Sequence, residues 1–154
     1  MNYLTDKEIH KICKEYGITD YTINSDGSID VDGVVYLYGN RLTKLPIKFN
    51  HVSGYFYCYH NNLTTLEFAP LSVGGNFDCR FNKLTTLEGG PKSVGGDFNC
   101  ICNKLTTLEG GPQSVGGHLK CNVNPIYDHL GDIDYKSYIK QINRDKILNE
   151  LLNR

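Results

Sequence analysis

The chain has no tryptophan, a single methionine and five prolines in 154 residues. It also lacks an excess of either charge, with 16 basic against 17 acidic residues. That balance gives no electrostatic reason to expect nucleic acid or an anionic membrane as partner. No apolar run approaches the ~18 residues of a membrane span. The opening MNYLTDKEIHKICKEYG has no basic segment followed by an apolar one, so it does not read as a signal peptide. The expected compartment is therefore the cytoplasm, where thiols stay reduced. Phosphate loops, dinucleotide fingerprints and nucleophile elbows are missing too. His10, His51, His60, His118 and His129 share no spacing with Asp, Glu or Cys that suggests ligands or a triad. These absences predict a protein that is not an enzyme, with no catalytic residues, metal or cofactor.

What the chain does have is a repeat. Leu42, Leu63, Leu84 and Leu105 recur with a period of 21, and Ile126 is next in line. Parallel columns are Leu45/Leu66/Leu87/Leu108, Val31/Val52/Val73/Val94/Val115 and Gly33/Gly54/Gly75/Gly96/Gly117. Asn40, Asn61, Asn82, Asn103 and Asn124 form another, and Leu37, Cys58, Cys79, Cys100 and Cys121 a further one. Two residues before each of these cysteines stands Phe56, Phe77, Phe98 or Leu119, with Val35 in the first copy. Periods of about 20–50 residues mean stacked supersecondary units. Within a unit, Phe77 in, Asp78 out, Cys79 in, Arg80 out is a short strand with one buried face. One unit cannot bury its apolar side alone, whereas units stacked ~4.8 Å apart in parallel can.

Phe77-x-Cys79-x-x-Asn82-x-Leu84 resembles the L-x-L-x-x-N-x-L pattern of leucine-rich repeats, with Phe and Cys replacing two leucines. The 21-residue length and LTKLP (residues 42–46) are similar to the short bacterial repeat of secreted effectors. The LTTLEGGPxSVGGxFxC wording resembles small repeat proteins of tailed phages and prophages. The resemblance covers roughly Ile29 to Ile126. It implies a right-handed, curved leucine-rich-repeat solenoid of about five rungs with one parallel sheet, a β-rich α/β repeat. It implies no general activity. Secreted effectors of this kind can carry a ubiquitin-ligase domain after the repeats, and the 28 residues beyond Ile126 are too few for one.

The expected organisation is an N-terminal helix and hairpin cap over residues 1–28, the solenoid over 29–126 and a C-terminal helical cap over 127–154. Thr5-Asp6-Lys7-Glu8 is a capping-box pattern, predicting a helix from Asp6 to Tyr16 with Gly17 as its stop. YTINSDGSIDV predicts a hairpin around Ser25-Asp26-Gly27. Ile139, Ile142, Ile147, Leu148, Leu151 and Leu152 predict one or two amphipathic helices serving as a lid.

The cysteine column invites a chemical reading and does not support one. Four in-register side chains on parallel strands lie along a line of ~14 Å. A tetrahedral zinc site needs its sulfurs ~2.3 Å from one point, and a disulfide needs particular torsions. Reduced cysteine serves as a small buried hydrophobe. Cys102 stands outside the column and is expected to be partly exposed. The asparagines suit a structural ladder, because an amide can satisfy a turning backbone. Glu67, Glu88 and Glu109 are expected to face water.

Function is then expected where the copies differ. Tyr36, Tyr38, Tyr55, Tyr57 and Tyr59 project from the first two rungs onto one face, with His60 and Phe81 near its edge. Asp78, Arg80, Asp97 and Lys120 continue that face. Clustered tyrosines favour a protein partner, each ring offering rigid area and a polar tip. The competing reading is that the N-terminal helix covers them. The expectation is a non-catalytic protein–protein interaction module acting through Tyr36, Tyr38, Tyr55, Tyr57, Tyr59, His60, Asp78 and Arg80. The phage resemblance implies a factor that binds a host protein, including a defence protein, in the host cytoplasm. The alternative is a nucleic-acid binder using the tyrosines with Arg80, Lys83, Lys104 and Lys120. A self-associating structural protein is the third reading.

Overall fold

The computed structural model describes residues 4–126 and 135–153. Helix α1 (Asp6–Glu15) is started by the capping box, with the Thr5 hydroxyl accepting the Glu8 N–H and the Glu8 carboxylate accepting the Thr5 N–H at 2.7 Å. It ends one residue before the expected Tyr16, which is its C-cap, and Gly17 turns the chain with φ +64°. Strands β1 (Tyr21–Ile23) and β2 (Ile29–Val31) form an antiparallel hairpin. Its turn is fixed by Asp26, whose carboxylate accepts both the N–H and the hydroxyl of Ser28.

From β2 onward the chain winds into a β-rich parallel solenoid of about four turns. Each turn contributes two short strands, so there are two sheets where one was expected. One sheet joins β2 to β4 (Phe49–Val52), β6 (Ser72–Val73), β8 (Ser93–Val94) and β10 (Ser114–Val115), with β1 antiparallel at its edge. The other joins β3 (Val35–Tyr36), β5 (Phe56–Tyr57), β7 (Phe77–Asp78), β9 (Phe98–Asn99) and β11 (Leu119–Lys120). Register follows the 21-residue period, Phe56 to Phe77 to Phe98 to Leu119 and Ser72 to Ser93 to Ser114. The second ladder exists because the Gly-Gly corner lets successive turns touch at their backbones. A Cβ on Gly74, Gly95 or Gly116 would strike the carbonyl oxygen of Ser53, Gly74 or Gly95 in the preceding turn. With no side chain to hold them apart, the Ser-Val segments beside this corner pair from turn to turn.

The core is a set of ladders running along the solenoid. Phe56, Phe77 and Phe98 stack with centroids 5.5 and 5.2 Å apart, and Phe49 meets Phe56 edge-on. Cys58, Cys79, Cys100, Leu63, Leu84 and Leu105 are completely buried beside them. Asn61, Asn82, Asn103 and Asn124 are buried as well, and each makes the same bonds. The Asn82 amide nitrogen donates to the carbonyls of Cys79, in its own turn, and Cys58, in the preceding one, both at 3.0 Å. Its oxygen accepts the N–H of Leu63 at 2.9 Å. Three backbone groups that the corner would otherwise orphan are thereby satisfied by one side chain. Asn40 departs from the column: it is exposed and its amide bonds only the Tyr38 carbonyl, because no earlier turn lies behind it.

The two ends differ. Ile9 and Cys13 of α1 are completely buried against the first turn. In the last turn Val115, Leu119 and Cys121 are only partly buried, where their counterparts Val94, Phe98 and Cys100 are enclosed. Helix α2 (Tyr135–Leu152) exposes Ile147, Leu148, Leu151 and Leu152. The side chains of Ile139 and Ile142, the join at 127–134 and His129 lie outside the described residues. No described helix is long and apolar enough to cross a membrane.

Candidate binding surface

On the outer face of β3, β5, β7, β9 and β11 the strand geometry that points Phe and Cys inward points the intervening residues out. Tyr36, Tyr38 and Tyr55 are exposed by about half, at 54%, 50% and 44%, so α1 does not cover them. Tyr57 and Tyr59 are half-buried between neighbours. The rings are ordered against one another. Tyr38 stacks on Tyr59 at 5.0 Å and 7°, and Tyr55 on Tyr57 at 5.6 Å and 19°. Tyr36 meets Tyr38 edge-on and leans on Tyr57. Burial raises the Tyr57 hydroxyl above its ordinary pKa, and Tyr55, Tyr36 and Asp78 add to the shift.

The series continues around the corner. His60 stacks on Phe81 with centroids 4.4 Å apart and 6° between planes, and Tyr59 touches His60 edge-on. Both residues occupy a left-handed backbone position, with φ 52° and 53°. Gly39 occupies it in the first turn, Cys102 and Val123 in the later ones. Glycine is the residue suited to this conformation, and four others are held there by the turn. The partial exposure expected of Cys102 is observed.

Beyond the tyrosines the same face becomes polar. The Arg80 guanidinium lies 5.0 Å over the Tyr59 ring. Its Nε stands 3.4 Å from Asp78 Oδ2 without hydrogen-bond alignment, and is buried with no other partner. Asp78 points outward as the alternation requires, yet it is 92% buried, with only 8% exposed, among its larger neighbours. Loss of solvent raises its carboxyl above the ordinary range, opposed by the Arg80 N–H and guanidinium. Asp97 contrasts with it. The His118 N–H and the Lys120 ammonium, each at 2.8 Å, hold its carboxyl down at about 2. Between the tyrosines and these pairs the surface sinks into a depression of about 340 Å³. Of the basic residues considered for nucleic acid, Arg80 and Lys120 line this depression, whereas Lys83 and Lys104 are exposed outside it.

The six cysteines are free thiols. Burial raises Cys58, Cys79 and Cys100 well above the ordinary thiol value, so the column disfavours the thiolate that chemistry or metal binding requires. Among the described residues no group of three or more His, Cys, Asp and Glu is placed to hold a metal ion. One polar row escaped the spacing argument. Asp30, His51 and Ser72 are in register on β2, β4 and β6, and His51 Nδ1 lies 2.6 Å from Ser72 Oγ. The 21-residue period itself could have revealed this row. Asp30 engages the Asn50 amide and the His51 backbone N–H rather than the imidazole, so no relay is formed.

No protein-family model matches the chain, and no curated protein or solved structure is found to be similar to it.

Proposed function

We propose that this solenoid is a leucine-rich-repeat-type, non-catalytic protein-binding module whose contact surface is centred on Tyr36, Tyr38, Tyr55, Tyr57 and Tyr59. The observation that carries the reading is the exposed, mutually stacked tyrosine face. Rings already held by neighbours lose little conformational freedom on docking, which is what makes tyrosine a favourable anchor. His60 and Phe81 extend the surface over the edge, and Asp78 and Arg80 bound it. Five strands at ~4.8 Å and five residues at ~3.3 Å project ~400 Å². A stable interface covers about 800 Å² per partner, so the partner also grips the His60–Phe81 corner and the adjoining turns. The sequence resemblance to phage repeat proteins suggests a host protein, such as a defence factor, met in the host cytoplasm.

The same geometry argues against single-stranded nucleic acid. Base stacking needs free ring faces, and Tyr59 has Tyr38 on one side and Arg80 above it. Lys120 and Arg80 are neutralised within the face by Asp97 and Asp78.

The test is affinity capture from host lysate with wild type and a Tyr36→Ala/Tyr57→Ala/Tyr59→Ala variant, followed by titration of the purified captured protein. A partner bound by wild type and weakened at least about tenfold in the variant supports the surface. An unchanged partner, or capture of nucleic acid that disappears steeply with salt, would sink it. A concentration-dependent dimer abolished by the same substitutions would replace it with self-association.

A further inference from the structure

The polar depression beside the tyrosines has a chemistry of its own. It contains two ion pairs in different states. Both Asp97 oxygens are engaged, one by Lys120 and the other by the His118 N–H. The other pair is unfinished: Asp78 Oδ1 accepts the Arg80 N–H at 3.1 Å, while Oδ2 faces an Arg80 Nε that has no hydrogen-bond partner. The Nε itself is closed to a water-sized group, so a ligand reaches the Asp78 carboxylate and the exposed remainder of the Arg80 side chain. A carboxylate could only accept and an ammonium only donate there, whereas one hydroxyl can donate to Asp78 and accept from the guanidinium.

Further donors face the same space. Asn76 uses its oxygen to accept the Asp97 N–H, and Asn99 uses its oxygen to accept the Ile101 N–H. That leaves each amide nitrogen without a protein acceptor. The formal charges cancel, two carboxylates against Arg80 and Lys120, so neither an anion nor a cation is favoured. Tyr57 supplies a ring at one wall. The volume of about 340 Å³ falls in the range of ~300–1,000 Å³ used for small ligands.

From this combination we infer that the depression is a binding site for a neutral carbohydrate of one or two sugar units. One hydroxyl bridges Asp78 and Arg80, and neighbouring hydroxyls accept from the Asn76 and Asn99 amides. The site shares Tyr57, Tyr59, Asp78 and Arg80 with the proposed docking surface, whereas Tyr36, Tyr38 and Tyr55 belong to that surface alone.

Ligand-observed NMR and calorimetry with glucose, galactose, mannose, N-acetylglucosamine, maltose, cellobiose and lactose provide the test. Glucuronate, glucosamine and inorganic phosphate serve as charged controls. At least one neutral sugar should bind with a millimolar dissociation constant or tighter. Its affinity should fall about tenfold or more in Asp78→Asn and in Arg80→Gln. It should change far less in Tyr36→Ala/Tyr38→Ala, whose rings meet the depression only through Tyr57 and Tyr59 and whose loss weakens the protein surface instead. Arg80 is partly exposed, so its variant keeps the test decisive if Asp78→Asn perturbs folding. Absence of sugar binding, preference for a charged control, or binding indifferent to both polar substitutions overturns the inference.

Discussion

The two faces of β5, β7 and β9 are built from the same strands by opposite rules. Inward, Phe56, Phe77 and Phe98 repeat unchanged, with Cys58, Cys79, Cys100 and the asparagines beside them. Outward, the register positions read Tyr57, Asp78, Asn99, with Tyr59, Arg80 and Ile101 two residues on. Stacking explains the first rule, since each inner side chain packs against its copy and any change is felt by two neighbours. The outer face has no such obligation. Its departures from repetition are therefore informative about binding, while the inner repetition is informative about shape.

Substitutions can break or sharpen this contrast. The largest effect is expected for Phe77→Ala, at the centre of the phenylalanine stack. It should cost about 3–5 kcal/mol, read as a fall in denaturant midpoint, whereas Tyr38→Ala on the outer face should cost well under half of that. Next comes Asn82→Ala, which orphans the carbonyls of Cys58 and Cys79 and the Leu63 N–H. A loss of about 2–4 kcal/mol is expected, against less than ~0.5 kcal/mol for Asn40→Ala in the same column. Equal costs at the two positions would overturn the ladder.

Cys79→Ser should destabilise by about 1–3 kcal/mol, because a hydroxyl enters an apolar site. A smaller effect of opposite sign is expected for Val123→Gly. Val123 is 68% exposed and held at φ 56°, so little burial is lost and left-handed strain is relieved. A gain of about 0.5 kcal/mol remains after the entropy of the added glycine. The smallest effect concerns pH. Asp78 has a raised folded pKa, so the stability tied to its protonated form is present at low pH and lost as pH rises through that pKa. Asp97 has the reverse sign, its contribution holding above pH ~4 and disappearing as pH falls toward about 2. The stability of Asp78→Asn relative to wild type should therefore increase between acid and neutral pH, measured by denaturation at each pH.

Much of the solenoid is legible in the letters because every inner column is written four or five times. The second sheet is not. Ser72-Val73 is two residues long, shows no alternation, and pairs only because glycine brings neighbouring backbones together. Asn40 looks identical to the other asparagines, and only its place at the start of the stack removes its partners. At the candidate site the tyrosines could be assigned a common face from their spacing. The burial of Asp78 could not, since it depends on the packing of larger neighbours such as Tyr57, in register with it, and Arg80, 3.4 Å from its carboxylate. The left-handed column had a signal in Gly39, hidden because the later turns place His, Phe, Cys and Val there.

The inequality of the two ends has a kinetic consequence. A stack whose turns contact only their neighbours opens like a zipper, and a zipper with one end fastened runs in one direction. The packed Ile9 and Cys13 fasten the beginning, whereas among the described residues Val115, Leu119 and Cys121 at the other end are only partly covered. Amide hydrogens should accordingly exchange in a gradient, fastest along β10 and β11 and slowest near β5. The tyrosine face lies on the fastened half, so fraying of the last turn can leave it intact.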